Sequence, residues 1–232
     1  AYQEAIFGKL VDIEQSGGAY ETDDGSRIQT NCVVLSLPFG SGKTYIAVLL
    51  AMLAPYPKSN NLRQVFVAPN ISISVEEDAC IHATAIVVPH NLVKQWRTQL
   101  DESSSNYTEI SCRKHYEGVG VDLLRNAHLA DILLISETMV KKVYPLFGRM
   151  HFKRLILDEP HKLYSLTRVR KLSAQFTVLL CATPKSLVCK PRPYLKDILG
   201  DKPRGCVMSL CVNVDQAFVD MSVKLSVLTE KI

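Results

Sequence analysis

The chain has 232 residues, 47% of them hydrophobic and 22% charged, and a formal net charge of +4. That is enough apolar material to bury a large core as one or two globular domains, and the mild positive charge permits contact with phosphate backbones without requiring it. Seven scattered cysteines with no C-x-x-C pair argue against a zinc or redox site and for a reducing, intracellular compartment; no apolar run is long enough to cross a membrane, and no basic-then-apolar leader opens the chain.

In chain order, short apolar runs alternate with helical patterns through the first 185 residues, the sign of an α/β protein with a mainly parallel central sheet. The first predicted strand, Cys32–Leu37, leads into Pro38-Phe39-Gly40-Ser41-Gly42-Lys43-Thr44 and a predicted helix Lys43–Ala54, stopped by Pro55. A buried strand, a glycine-rich turn and an apolar helix form the context that a phosphate loop requires. Glycines 40 and 42 let backbone N–H groups turn toward an anion, and the helix N-terminus adds its partial positive charge. Lys43 is then placed to reach the β- and γ-phosphates of a bound nucleotide, and the Thr44 hydroxyl to ligate Mg²⁺. Leu37 stands where the usual loop has its first glycine, which weighs against a generic kinase or GTPase.

The segment Pro55–Thr84 fits the alternation poorly. Its runs Gln64–Ala68 and Ile71–Val75, joined by Pro69-Asn70, predict an inserted β-hairpin. Next come a strand at Ala85–Val88, a helix at His90–Leu100, a helix at Val121–His128, a strand at Ile132–Ile135 and a helix at Ser136–Tyr144. A further strand, Leu155–Leu157, ends in Asp158-Glu159-Pro160-His161. In open α/β sheets ligands bind beyond the carboxyl ends of the strands, so these acids are expected beside the phosphate loop. Asp158 suits Mg²⁺ and Glu159 suits an attacking water. The last core strand, Thr177–Cys181, precedes Ala182-Thr183-Pro184. From Lys185 to Arg204 six basic residues face two acids, a surplus equal to the charge of the whole chain. The chain opens on Ala1 and closes near the strand-like run Val223–Leu228, as a segment of a longer protein would.

Gly-x-Gly-Lys-Thr, then Asp-Glu-x-His, then Cys-Ala-Thr-Pro resemble motifs I, II and III of superfamily 2 helicases. Ile86–Trp96, with Pro89-His90-Asn91, is similar to motif Ia of the XPB-like and SWI/SNF-like branches, and Leu134–Thr138 to motif Ib. The narrower form, Leu-Pro-Phe-Gly-Ser-Gly-Lys-Thr with Asp-Glu-Pro-His, looks most like helicases of large DNA viruses. The resemblance spans residues 30–185 and implies a three-layer RecA-like P-loop NTPase domain of the DExH type. It implies that 1–30 is a lead-in, 31–185 the ATP-binding unit with an insertion at 55–84, and 186–232 the start of a linker to a second RecA-like domain. ATP would lie between those two lobes, so this lobe alone is expected to hydrolyse ATP poorly.

It also implies roles for particular residues: Gln3 reading adenine; Pro38, Phe39, Gly40, Ser41, Gly42, Lys43 and Thr44 around the phosphates; Asp158, Glu159 and His161 in hydrolysis. Ala182 and Thr183 would couple the lobes, while Pro89, His90, Asn91, Ser136 and Thr138 would touch a DNA or RNA backbone. Trp96 reads as helix core. Two alternatives remain: a SWI/SNF-type duplex translocase that does not unwind, and a nucleic-acid-binding scaffold without turnover. A GTPase would need an Asn-Lys-x-Asp guanine reader, which the sequence lacks.

Overall fold

Strands form here where apolar residues occupy both faces, because such runs can be covered only by helices on either side. The computed structural model describes residues 2–21, 27–53, 80–112, 129–147, 151–164, 166, 172–189, 193–199 and 211–212. A helix α1 (Tyr2–Gln15) leads to a two-stranded antiparallel ladder, β1 (Ala19–Glu21) and β2 (Arg27–Gln29). Next come β3 (Cys32–Ser36), α2 (Lys43–Leu53), β4 (Cys80–Val88), α3 (Val93–Glu102), β5 (Tyr107–Ile110), β6 (Ile132–Ser136), α4 (Val140–Phe147) and β7 (His151–Asp158). The chain continues through β8 (Ser173–Cys181), α5 (Lys185–Cys189), α6 (Pro193–Leu199) and β9 (Cys211–Val212).

The main sheet has the order β5-β6-β4-β7-β8-β3-β9, and every pairing in it is parallel. The expected α/β, RecA-like class is therefore what the chain adopts. Alternate residues of each strand face opposite layers. Val33, Leu35, Ile86 and Val88 join the cluster under α1, α2 and α3, whereas Cys32, Val34, Ala85 and Val87 join the cluster that takes in Val140, Val143 and Leu195 of α4 and α6. From β3 the chain crosses to β4, and β7 and β8 later fill the gap. All the carboxyl ends thus collect along one edge of the sheet.

Several elements differ from the sequence reading. The strand expected at Ala85–Val88 begins at Cys80, so the end of the expected insertion is sheet; residues 54–79, with the rest of the predicted hairpin, lie outside the described residues, as do Val121–His128. The helices expected from His90 and Ser136 each open with a 3₁₀ turn, His90–Leu92 and Glu137–Met139. The lead-in helix α1 buries Tyr2, Ile6, Leu10 and Ile13 in the same cluster as β3 and α2, and β9 pairs with β3.

One polar cluster ties the layers together. Arg154, fully buried in β7, donates from Nε to Glu14 Oε1 at 3.1 Å, from Nη2 to Glu14 Oε2, and from Nη1 to the Leu50 carbonyl at 2.6 Å and Thr84 Oγ1 at 3.3 Å. Beside it Lys153 is also buried, and burial, helped by the Arg154 charge, lowers its ammonium from 10.5 to about 8. The unfolded chain therefore binds a proton that the folded chain does not between about pH 8 and 10.5, and this residue's contribution to stability rises as pH climbs through that window. Lys153→Met is expected to stabilise the protein at neutral pH and to flatten the rise in urea midpoint from pH 8 to 10. Identical slopes for parent and variant would refute it.

Candidate nucleotide and nucleic-acid site

The loop between β3 and α2 turns on two glycines with positive φ, Gly40 at 75° and Gly42 at 83°. Left-handed backbone at these positions turns successive N–H groups into the concavity of the loop. Two residues of α1 fasten the loop from behind. The Tyr2 hydroxyl donates to the Ser41 carbonyl at 2.6 Å, and Gln3 Nε2 donates to the same oxygen at 3.2 Å. Ser41 Oγ in turn donates to the Pro38 carbonyl at 2.7 Å. A Cβ at position 42 would meet only the flexible end of the Gln3 side chain, so it is the positive φ that favours glycine there. Gln3, expected to read adenine, thus lies against the loop itself, and Tyr2 is a partner that sequence reasoning missed.

Lys43 opens α2 and donates to the carbonyls of Leu37 and Pro38 at 2.7 and 2.8 Å, with its ammonium 5.2 Å from the centre of the exposed Phe39 ring. Burial pulls its pKa down, and the charges of Glu159 and Asp158 partly restore it. That electrostatic contact follows from strand order. Ser36 of β3 is in register with Cys181 of β8, and Leu180 of β8 with Asp158 of β7, so the loop and the two acids flank one intervening strand. Neighbouring strands lie about 4.8 Å apart, which places the two groups on the order of 10 Å from each other along the edge. Thr44 follows Lys43 in the first turn of α2 and is half-buried.

Asp158 and Glu159 are both nearly buried, at 7% and 4% exposure. Burial raises the Asp158 carboxyl, and a hydrogen bond from Trp96 Nε1 to Asp158 Oδ2 at 2.8 Å opposes that rise. Glu159 has a left-handed backbone, φ 45°, held by its N–H donating to the Leu180 carbonyl at 2.9 Å. Its Oε2 lies 3.5 Å from His161 Nε2 and 3.9 Å from Lys162 Nζ. His161 is therefore beside the acid that the sequence paired it with. The Tyr194 hydroxyl of α6 donates to the Pro160 carbonyl and anchors this turn from the far layer.

After β8, Ala182 is half-buried and Thr183 exposed. Thr183 Oγ1 lies 3.4 Å from Ser186 Oγ, which donates to the Thr183 carbonyl at 2.6 Å. Two strands away, Val88 of β4 is in register with Ser136 of β6. Pro89 is buried there and Asn91 exposed, while His90 Nδ1 lies 3.1 Å from Ser136 Oγ, itself 3.0 Å from Thr138 Oγ1. Of the residues expected at a nucleic-acid backbone, His90, Ser136 and Thr138 are thus linked over β4 and β6, while Pro89 and Asn91 flank His90 in the chain. The residues expected at the nucleotide gather over β7, β8 and β3.

The donor set fits Mg²⁺ held by a nucleotide. Among the described residues there is no group of three or more His, Cys, Asp or Glu side chains that could cage a metal. Mg²⁺ commonly takes one or two protein oxygens and completes its shell with water and phosphate. The Asp158 carboxylate and the Thr44 hydroxyl are oxygen donors of the type such a site uses.

A family model described as "Type III restriction enzyme, res subunit" matches residues 1–186. The chain belongs to this family. Its ResIII match and RecA-like fold are of the superfamily 2 helicase type. It is 34% identical over 137 residues to "Putative helicase R592" of Acanthamoeba polyphaga mimivirus, a match covering 59% of this chain and 14% of that protein. It is 23% identical over 185 residues to "DNA repair protein RAD5" of Candida glabrata, covering 65% of this chain and 16% of that protein. The aligned part of the ResIII chain is thus a small fraction of either relative's length. Among its described residues no helix is long and apolar enough to cross a membrane.

Proposed function

We propose that this chain is the first motor domain of an ATP-dependent nucleic-acid helicase or translocase, binding Mg-ATP at the β3–α2 loop and a DNA or RNA backbone over β4 and β6. The observation that carries the reading is the grouping of Lys43, Asp158 and Glu159 around one short stretch of sheet edge, where the two acids act on the Lys43 charge. When bound, Mg²⁺ would offset the negative charge of the phosphates. Thr44 and Asp158 would hold it, and Lys43 would exchange the loop carbonyls it now contacts for phosphate oxygens. Glu159 would accept a proton from the attacking water, with His161 at its carboxylate. A second RecA-like domain would close over this edge, touching Ala182 and Thr183.

His90, Asn91 and Thr138 are exposed and offer ring, amide and hydroxyl groups of the kind that grip phosphates rather than read base edges, with the buried Ser136 against His90 and Thr138. Strand binding should therefore weaken steeply with salt and vary little with sequence. Likeness to a viral protein named as a helicase favours strand separation, and likeness to a DNA repair protein leaves duplex translocation as the second reading. A strand-displacement assay on the full-length protein distinguishes them. Lys43→Ala is expected to abolish Mg-ATP binding measured by calorimetry while leaving oligonucleotide binding intact. Parental nucleotide affinity in that variant would overturn the reading.

A further inference from the structure

Trp96 is fully buried in α3, and a buried tryptophan needs only a partner for its N–H. Here that partner is neither a backbone carbonyl nor a structural side chain but Asp158 Oδ2, at 2.8 Å and 62 residues away. The indole N–H is a donor only, carried on a ring that packing prevents from turning. Its bond to Oδ2, together with the Glu159 backbone, restrains the carboxyl group and hence the direction of Oδ1. A phenylalanine at this position would fill much of the same space but leave the acid held only by its backbone contact with Glu159.

We propose that Trp96 is a positioning residue for the metal-binding acid: its indole N–H sets the orientation of Asp158 and ties that carboxylate to α3. The proposal rests on the reading of Asp158 as a Mg²⁺ ligand. Its wider meaning comes from where α3 begins, because the 3₁₀ turn that opens it carries His90 and Asn91. One rigid segment thus runs from the polar row over β4 and β6 to the acid at the end of β7.

Trp96 is the only tryptophan in the sequence, so its emission reports on this one contact. The test is to titrate the 232-residue chain with a non-hydrolysable ATP analogue, first in EDTA and then with Mg²⁺ or the paramagnetic Mn²⁺, following tryptophan emission and, in parallel, heat. The expected result is a saturable change in emission that requires the metal, with strong quenching by Mn²⁺, and its loss in Asp158→Asn. In Trp96→Phe the Mg²⁺ concentration needed for half-maximal nucleotide binding should rise about tenfold, as expected for losing a hydrogen bond to a charged group. Trp96→Phe must first show a parental circular dichroism spectrum; if it does not fold, the emission titration, which needs no substitution at position 96, decides alone. Heat of Mg-nucleotide binding without a metal-dependent emission change would overturn the proposal and leave the functional reading standing. No binding heat at all in the parent chain would overturn both.

Discussion

Arg154→Ala is expected to lower the free energy of unfolding by about 3–5 kcal/mol, the usual cost of removing one partner from a buried ion pair. The guanidinium is fully buried and bonds to α1 through Glu14, to α2 through the Leu50 carbonyl and to β4 through Thr84, so its loss leaves acceptors from three elements unsatisfied. Most of that cost comes from stranding Glu14 rather than from losing the attraction itself. Removing both charges, Arg154→Met with Glu14→Gln, should therefore cost less than Arg154→Ala alone. Urea unfolding of the parent, both single variants and the double variant measures the coupling. A loss below about 1 kcal/mol for Arg154→Ala would show that the cluster is better hydrated than its burial implies.

Glu159→Gln is expected to slow ATP turnover of the full-length protein by about 10²–10⁴-fold, the range over which a positioned general base contributes. Glutamine has nearly the same shape and can keep the contact with His161, so Mg-nucleotide binding should persist. The loss would then fall on turnover rather than on affinity, which steady-state hydrolysis paired with calorimetry can separate. The variant would accumulate in its nucleotide-bound form. Parental turnover in Glu159→Gln would mean that another group takes the proton, and His161, 3.5 Å away, would be next to examine.

The strands at Cys32, Ile132, Leu155 and Thr177 were legible because each is apolar on both faces, which a parallel central strand requires. β5 escaped notice because Tyr107-Thr108-Glu109 is polar, and only Ile110 is buried on this edge strand. The early part of β4 was hidden by His82 and Thr84, whose polarity interrupts the apolar run. The burial of Thr84 makes sense only once Arg154 is seen to bond to it. For α1 the signal was present: Tyr2, Ile6, Leu10 and Ile13 recur at helical spacing and form its buried face.

Lys43, Asp158, Glu159 and His161 could be singled out because each lies at or soon after the end of a recognisable strand. Contacts that depend on tertiary register left no such trace. The bond from Arg154 to Glu14 spans 140 residues and that from Trp96 to Asp158 spans 62, and neither pair has a local pattern. The Gln3 amide also lies on the loop carbonyl of Ser41, a contact that the sequence of α1 alone could not reveal.

The left-handed backbone at position 159 restricts which amino acids can occupy it, quite apart from the chemistry of its carboxylate. A β-branched replacement such as valine would lose the acid and add about 1–2 kcal/mol of steric penalty, whereas asparagine tolerates this conformation comparatively well. A mutational scan across the turn should therefore rank substitutions for folding and for turnover in different orders, with asparagine well folded yet inactive and valine failing on both counts.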